Sequence, residues 1–209
     1  SRLQGSSALA YAGATLLLAV LAYAADIADQ AWPYAPSLAI WTVLAPLWLW
    51  RGWPAARGPV AWLLGWLLLI PTFMALLYLR AQGVGILLAI LAIAIVADSA
   101  AYFAGRVFGR NKLAPRISPG KTWEGALGGL LGVAAYAFML PTVGALDIAV
   151  LLPAFVLLFV LSVLGDLFES WIKRQAGVKD SGTLLPGHGG VLDRIDSQLA
   201  VLPVAALLW

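Results

Sequence analysis

Cysteine is absent from all 209 residues, which excludes disulfides, thiolate metal sites and cysteine nucleophiles. Histidine occurs once, at His188. Charge is scarce as well: 11% of residues are Asp, Glu, Lys or Arg, whereas soluble domains carry roughly 25%. What fills the chain instead is apolar, with 62% hydrophobic residues and a mean hydropathy of +0.91. The solvent for most of this chain is lipid. The net charge of +3 matters less than where the positive residues stand.

A spanning helix needs ~20 mostly apolar residues, and the apolar runs predict about seven spans. They begin with Ala8–Ala25, closed by Asp26 and Asp29, followed by a shorter run over Ser37–Trp50. Val60–Leu79 comes next, with a kink expected at Pro71. Val84–Ala97 continues as far as Gly105. The later runs are Trp123–Pro141, Ile148–Leu164, and a last one from Ser197 to Trp209. Gly125, Gly128, Gly129 and Gly132 along the fifth run would let a neighbouring helix approach closely. The expected fold is all-α, a polytopic transmembrane helix bundle forming a single integral membrane domain over 1–209. Residues 1–97 are scaffold spans and 98–209 a catalytic membrane region. Because the chain opens on Ser1 and stops inside an apolar run, it is read as a fragment, and seven is a minimum count.

Numbering the spans this way places twelve basic residues on one side: Arg2, Arg51, Arg57, Arg106, Arg110, Lys112, Arg116, Lys121, Lys173, Arg174, Lys179 and Arg194. Only Arg80 falls on the other, with Asp26, Asp29 and Asp147. By the positive-inside rule the crowded side is cytoplasmic. The loop after the fourth span and the loop after the sixth therefore face one compartment and can build one site.

Five of the ten acidic residues, Asp166, Glu169, Asp180, Asp193 and Asp196, fall within 165–197, as does His188. A carboxylate at hydrocarbon depth costs ~3 kcal/mol, so one placed there has a partner or a function; each alone reads equally as an interfacial helix end. Asp166 and Ser170, like Glu169 and Lys173, are four apart and share a helix face. Asp166 and Asp193, converging from separate segments, would make a hard oxygen site suited to Mg²⁺, completed by water and substrate phosphates. Lys173, Arg174, Lys179 and Arg194 would supply phosphate contacts. Pro186-Gly187-His188-Gly189-Gly190 is glycine-rich enough to form an anion-binding nest, although it lacks P-loop spacing. Ser118-Pro119-Gly120-Lys121-Thr122-Trp123-Glu124-Gly125 is a second phosphate-friendly segment, or simply a helix start with Thr122 as N-cap.

Read from Ser170 to Asp196, the pattern is Ser-x-x-Lys-Arg, four residues, Lys-Asp-x-Gly, then Leu-Leu-Pro-Gly-His-Gly-Gly and Asp-Arg-Ile-Asp. This resembles the signature of the phosphatidate cytidylyltransferases (CDP-diacylglycerol synthases) at every specified position. Gly165-Asp166-Leu167, Asp98-Ser99-x-Ala101-Tyr102-x-x-Gly105 and Ser118-Pro119-x-Lys121-Thr122-x-Glu124-Gly125 also look like that family's segments. Gly120 departs from them where many members carry lysine. The likeness is close from about Asp98 to Ser197, and the first three spans match only in character.

The resemblance implies transfer of CMP from CTP to phosphatidic acid, giving CDP-diacylglycerol and pyrophosphate, with Mg²⁺ and room for a second cation. It implies Asp166 and Asp193 as metal carboxylates and, with Lys173 and Arg194, as the catalytic set. Ser118, Lys121, Thr122, Ser170, Arg174, Lys179, His188 and Gly189 would bind substrate. The implied setting is a bacterial inner membrane with the site facing the cytoplasm; the partners are CTP, phosphatidic acid and the bilayer, with no nucleic acid and a homodimer left open. Two rival readings are a CTP-dependent membrane lipid kinase, which would transfer the γ-phosphate, and an ion-coupled transporter. Against the transporter, the charges gather at one interface rather than at the midplane.

Overall fold

The computed structural model describes residues 5–140, 147–182 and 189–209. The elements run α1 (Gly5–Ala24), a 3₁₀ turn (Ile27–Asp29), α2 (Ala35–Ala39), a π-helical turn (Ile40–Leu44) and α3 (Ala45–Arg51). After these come α4 (Pro59–Gln82), α5 (Val84–Phe108), β1 (Lys112–Ala114), β2 (Ser118–Thr122), α6 (Trp123–Met139), α7 (Ile148–Gln175) and α8 (Leu192–Leu208). The expected second span thus becomes a continuous helix over 35–51 with one widened turn. Pro71 lies inside an unbroken α4.

Four helices among the described residues are long and apolar enough to cross a membrane: Ser7–Ala24, Pro59–Gln82, Val84–Phe108 and Ile148–Gln175. This is an integral membrane protein. The helix over 35–51 and the 17-residue α6 and α8 reach only ~25 Å at ~1.5 Å per residue. That falls short of the ~30 Å hydrocarbon layer, so length supports four of the seven expected spans. α7 departs the other way. Its 28 residues extend well past Leu164, ~42 Å in all, and carry Asp166, Glu169, Ser170, Lys173 and Arg174 on helical turns rather than in a loop.

Small residues set the closest helix contact, between α5 and α6. A Cβ on Gly132 would stand 2.6 Å from Ala100 Cβ, and one on Gly129 would stand 3.0 Å from the Ala97 carbonyl oxygen. One on Gly128 would overlap Ala104 Cβ. This is the close approach expected from the glycine spacing. α7 meets α8 in the same way, since a Cβ on Gly165 would lie 2.7 Å from Asp196 O and 3.2 Å from Ser197 Cα. Both obstacles are backbone atoms and cannot rotate away. Gly165→Val should therefore lower stability by about 1–3 kcal/mol through overpacking, against which the gain over glycine in helix propensity is under ~1 kcal/mol. The check is a lower midpoint of thermal unfolding in detergent. The buried apolar core runs through Met74, Leu79, Ile90, Ile93, Val133, Phe155 and Leu202, side chains of α4 to α8.

The one sheet among the described residues is the hairpin β1–β2, antiparallel with Lys112 opposite Thr122 and Ala114 opposite Ser118. Pro115 follows β1 at the second position of a turn closed by Ile117 N donating to Ala114 O at 3.1 Å, the place where proline's fixed φ suits a turn. Two prolines within five residues keep the segment from joining α5 or α6 as helix.

Candidate functional site

The hairpin leads directly into α6. Thr122 ends β2 and is also the N-cap of α6, its hydroxyl accepting from Gly125 N at 3.0 Å. The capping reading of Thr122 therefore holds, and much of that buried hydroxyl's acceptor capacity is used locally. Glu124, in the first turn, accepts from Arg110 N at 3.1 Å and from the Asn111 side-chain amide at 2.7 Å. It thereby ties the end of α5 to the start of α6. Glu124→Ala should free the strand preceding the site, and amide exchange over 112–122 should quicken by about an order of magnitude, read by hydrogen–deuterium exchange mass spectrometry.

From this anchored hairpin two contacts reach α7. Lys121 Nζ pairs with Asp166 Oδ2 at 2.5 Å, and Arg174 Nε donates to Ile117 O at 3.3 Å. Asp166 also accepts from Ser170 Oγ at 3.2 Å, one helical turn on. The two polar segments expected to share a compartment thus meet at one end of the bundle. Beside this meeting point lies a cavity of about 430 Å³, walled by α5, the hairpin, the start of α6, and Phe159 and Val163 of α7. Its depth is apolar, formed by Ala97, Phe159 and Val163, and Asp98, Ser118 and Lys121 line its polar part. Asp98, Asp166 and Asp196 repel one another electrostatically and are attracted to Lys121. Lys121 is thus shared electrostatically among three carboxylates.

Asp193 lies in a different set of contacts. Its Oδ1 accepts from Lys173 Nζ at 2.7 Å. Its Oδ2 accepts from Ser181 N and Ser181 Oγ, both at 2.9 Å, and from Gly190 N at 2.6 Å. Burial opposes the charge, yet the Lys173, Gly190 and Ser181 donors outweigh it and hold this carboxyl well below the usual carboxylate range. Lys173 is shared, since its Nζ also meets Glu169 Oε2 at 2.5 Å. Gly189 makes the wrap around Asp193 feasible. Its φ of +80° is in the left-handed region, and a Cβ there would stand 2.6 Å from Asp193 Oδ2.

The structure therefore sorts the expected residues into two groups. Ser118, Lys121 and Thr122 line the large cavity, and Asp166 with Ser170 joins them through Lys121. Lys173, Asp193 and Gly189 form the second group, with Ser181 and Glu169. Arg174 bridges back to the hairpin; Lys179 and Arg194 are exposed. His188 lies outside the described residues. Ser181 and Gly190 as donors to Asp193, and Asn111 as a donor to Glu124, were not anticipated. Glu169 was expected only on the Lys173 face, and it proves to be that lysine's second partner.

Among the described residues no three His, Cys, Asp or Glu side chains converge as a metal-holding group. The Asp98, Asp166 and Asp196 carboxylates nonetheless supply hard oxygens close enough to interact with one another. This fits a divalent cation held by one or two carboxylates and completed by substrate phosphates. Asp193 fits such an ion on condition that it exchanges its Lys173 contact.

A family model described as the cytidylyltransferase family matches residues 2–209. The chain is 46% identical over 152 residues to a phosphatidate cytidylyltransferase of Pseudomonas aeruginosa, covering 70% of this chain and 56% of the relative. It is 46% identical over 149 residues to a protein of the same description from Haemophilus influenzae, covering 65% and 52%. A third, from Thermotoga maritima, is 46% identical over 121 residues, covering 54% and 45%. The chain spans about half the length of the curated relatives it matches.

Proposed function

The chain belongs to the cytidylyltransferase family, and from that premise we propose that it transfers CMP from CTP to phosphatidate, forming CDP-diacylglycerol and releasing pyrophosphate. The observation that carries the reading is the meeting of Lys121 on the hairpin with Asp166 on α7, beside a cavity with an apolar depth and a polar mouth. A lipid phosphate and a nucleotide triphosphate need such a place, polar for the anions and open to an acyl chain.

In this reading a phosphatidate oxygen attacks the α-phosphorus of CTP and pyrophosphate leaves in line, a reaction that depends on positioning and charge neutralisation more than on covalent chemistry. Lys121 and Ser118 hold phosphate from the hairpin side. Lys173, Arg174, Lys179 and Arg194 hold it from the α7–α8 side, the arginines in bidentate fashion. Ser170 orients Asp166. Thr122 contributes the rigid start of α6 more than its hydroxyl, and Gly189 keeps the backbone close to Asp193. His188 is assigned to a phosphate contact or to its turn.

Mg²⁺, held by Asp166 and Asp193, would when bound neutralise triphosphate charge and polarise the α-phosphorus. Asp98 and Asp196, beside Asp166, are the candidates for a second cation. The basic end of the bundle is assigned to the cytoplasm, where CTP is found, and the membrane to the bacterial inner membrane. The deciding experiment incubates purified protein with phosphatidate and α-labelled CTP in detergent, with and without Mg²⁺. Label appearing in lipid, dependent on Mg²⁺, is the expected result. Label arriving in lipid only from γ-labelled CTP would identify a lipid kinase and overturn the proposal.

A further inference from the structure

One wall of the large cavity has as yet no role in the chemistry. Among the described residues three charged side chains line this cavity: Asp98, Arg106 and Lys121. Lys121 is committed to Asp166. Arg106 forms no ion pair with a carboxylate among the described residues. Its guanidinium is held all the same, because Nη1 donates to the Tyr102 hydroxyl at 2.9 Å. Tyr102 stands one turn back on α5 and lines the same cavity. A guanidinium carries five N–H donors in a planar fork. One of them spent on a phenol fixes the plane and leaves the others for a two-pronged contact with an anion.

The depth of this pair in the membrane says which anion reaches it. Counted from Val84 at ~1.5 Å per residue, Tyr102 stands ~27 Å and Arg106 ~33 Å along α5. Those positions lie either side of the ~30 Å thickness of the hydrocarbon layer. A tyrosine ring followed by an arginine is what the headgroup boundary favours. The same wall also borders lipid. Phe103 and Val107, next to the pair on α5, are 66% and 70% exposed, and apolar side chains left open on a spanning helix face acyl chains. Arg106 therefore stands where the cavity meets the bilayer, at the level of lipid phosphates.

We propose that Arg106, oriented by Tyr102, seats the phosphate of the lipid acceptor as it enters from the bilayer, and so sets the affinity for phosphatidate rather than for CTP. The proposal rests on the CMP-transfer reading for the fate of that lipid, while the binding it asserts can be measured alone. An anion seated on Arg106 displaces no carboxylate, whereas one seated on Lys121 competes with Asp166. Tyr102 is a positioning residue, acting through the guanidinium that it holds.

The test measures KM in mixed detergent micelles, varying phosphatidate as a mole fraction at saturating CTP, and CTP at saturating phosphatidate. Arg106→Gln removes charge-assisted hydrogen bonds, so KM for phosphatidate should rise about tenfold or more while KM for CTP stays within about twofold. Arg106→Lys keeps the charge without the fork and should recover part of the loss. Tyr102→Phe should raise KM for phosphatidate by about threefold, and in the Arg106→Gln background it should add nothing. A full additional effect there would show that Tyr102 does not act through Arg106. A rise in KM for CTP alone would make Arg106 a nucleotide contact and overturn the proposal. Unchanged KM for both substrates would also overturn it, leaving a basic helix end that reaches for headgroup water. A second arm uses no CTP: a dansyl-acyl phosphatidate is titrated into phosphatidylcholine nanodiscs and read by energy transfer from tryptophan. Binding about tenfold tighter to the unaltered chain than to Arg106→Gln is expected, and equal binding overturns the proposal whatever the turnover. Tighter binding without any CMP transfer would sink the transferase reading and leave this one standing. Should Arg106→Gln fail to fold, Arg106→Lys carries the same comparisons with a smaller shift.

Discussion

Asp193→Asn should remove both activity and a large part of the protein's stability. The carboxylate is a hub for Lys173, Ser181 and Gly190, and its side chain is only 7% exposed. An asparagine of the same shape brings an NH₂ group toward a ring of donors and leaves Lys173 with Glu169 alone. Breaking one side of a buried ion pair costs about 3–5 kcal/mol, and losing a preorganised electrostatic contact in the transition state costs about 10²–10³ in turnover. The sign of the pH dependence follows from the depressed native pKa. Stabilisation by this group is fully present above the unfolded value of ~3.9 and is lost only as pH falls through the lower folded value. The drop in melting midpoint caused by Asp193→Asn should therefore persist at about pH 5 and fade only below ~3.9, as the native carboxylate begins to protonate. A difference that is already gone at about pH 5 would show that the carboxylate is not held as described.

Asp166→Asn should separate the two effects. Asp166 and Lys121 are 23% and 25% exposed, and a pair this open contributes ~0–1 kcal/mol, so the melting midpoint should barely move. CMP transfer should nevertheless fall by about 10²–10³, because the carboxylate proposed to hold the cation beside Lys121 is gone. Measured in folded protein at limiting Mg²⁺, near-normal turnover in either Asp166→Asn or Asp193→Asn would falsify the assignment of that carboxylate to the metal. The pair of variants thus distinguishes a residue that builds the site from one that acts within it.

Much of this arrangement is legible in the residues themselves. Apolar runs mark the helices because lipid leaves the backbone few alternatives, and the glycines at 125, 128, 129 and 132 announce the α5–α6 seam because nothing larger fits there. The meeting of the two polar segments follows from the distribution of lysine and arginine. What the residues conceal is who pairs with whom. Asp166 and Asp193 look equivalent along the chain, yet one faces Lys121 and the other is wrapped by Lys173, Ser181 and Gly190, a distinction made by tertiary contacts. The length of α7 is similarly hidden. Hydropathy stops at Leu164, but the hydrogen-bonded helix continues because Asp166 to Gln175 has no breaker and is partly buried against its neighbours. The β1–β2 hairpin is signalled by Pro115 and Pro119 only as an interruption of helix, since so short a strand pair has too little periodicity to read.

The junction at Thr122, where β2 becomes the cap of α6 without a linking residue, has a mechanical consequence. The backbone at Lys121 cannot shift unless α6 tilts, and the glycine seam locks α6 against α5. The hairpin wall of the cavity is consequently fixed to the helix bundle, and the polar end of α7 is tied to that same fixed wall twice, by Asp166 to Lys121 and by Arg174 to Ile117.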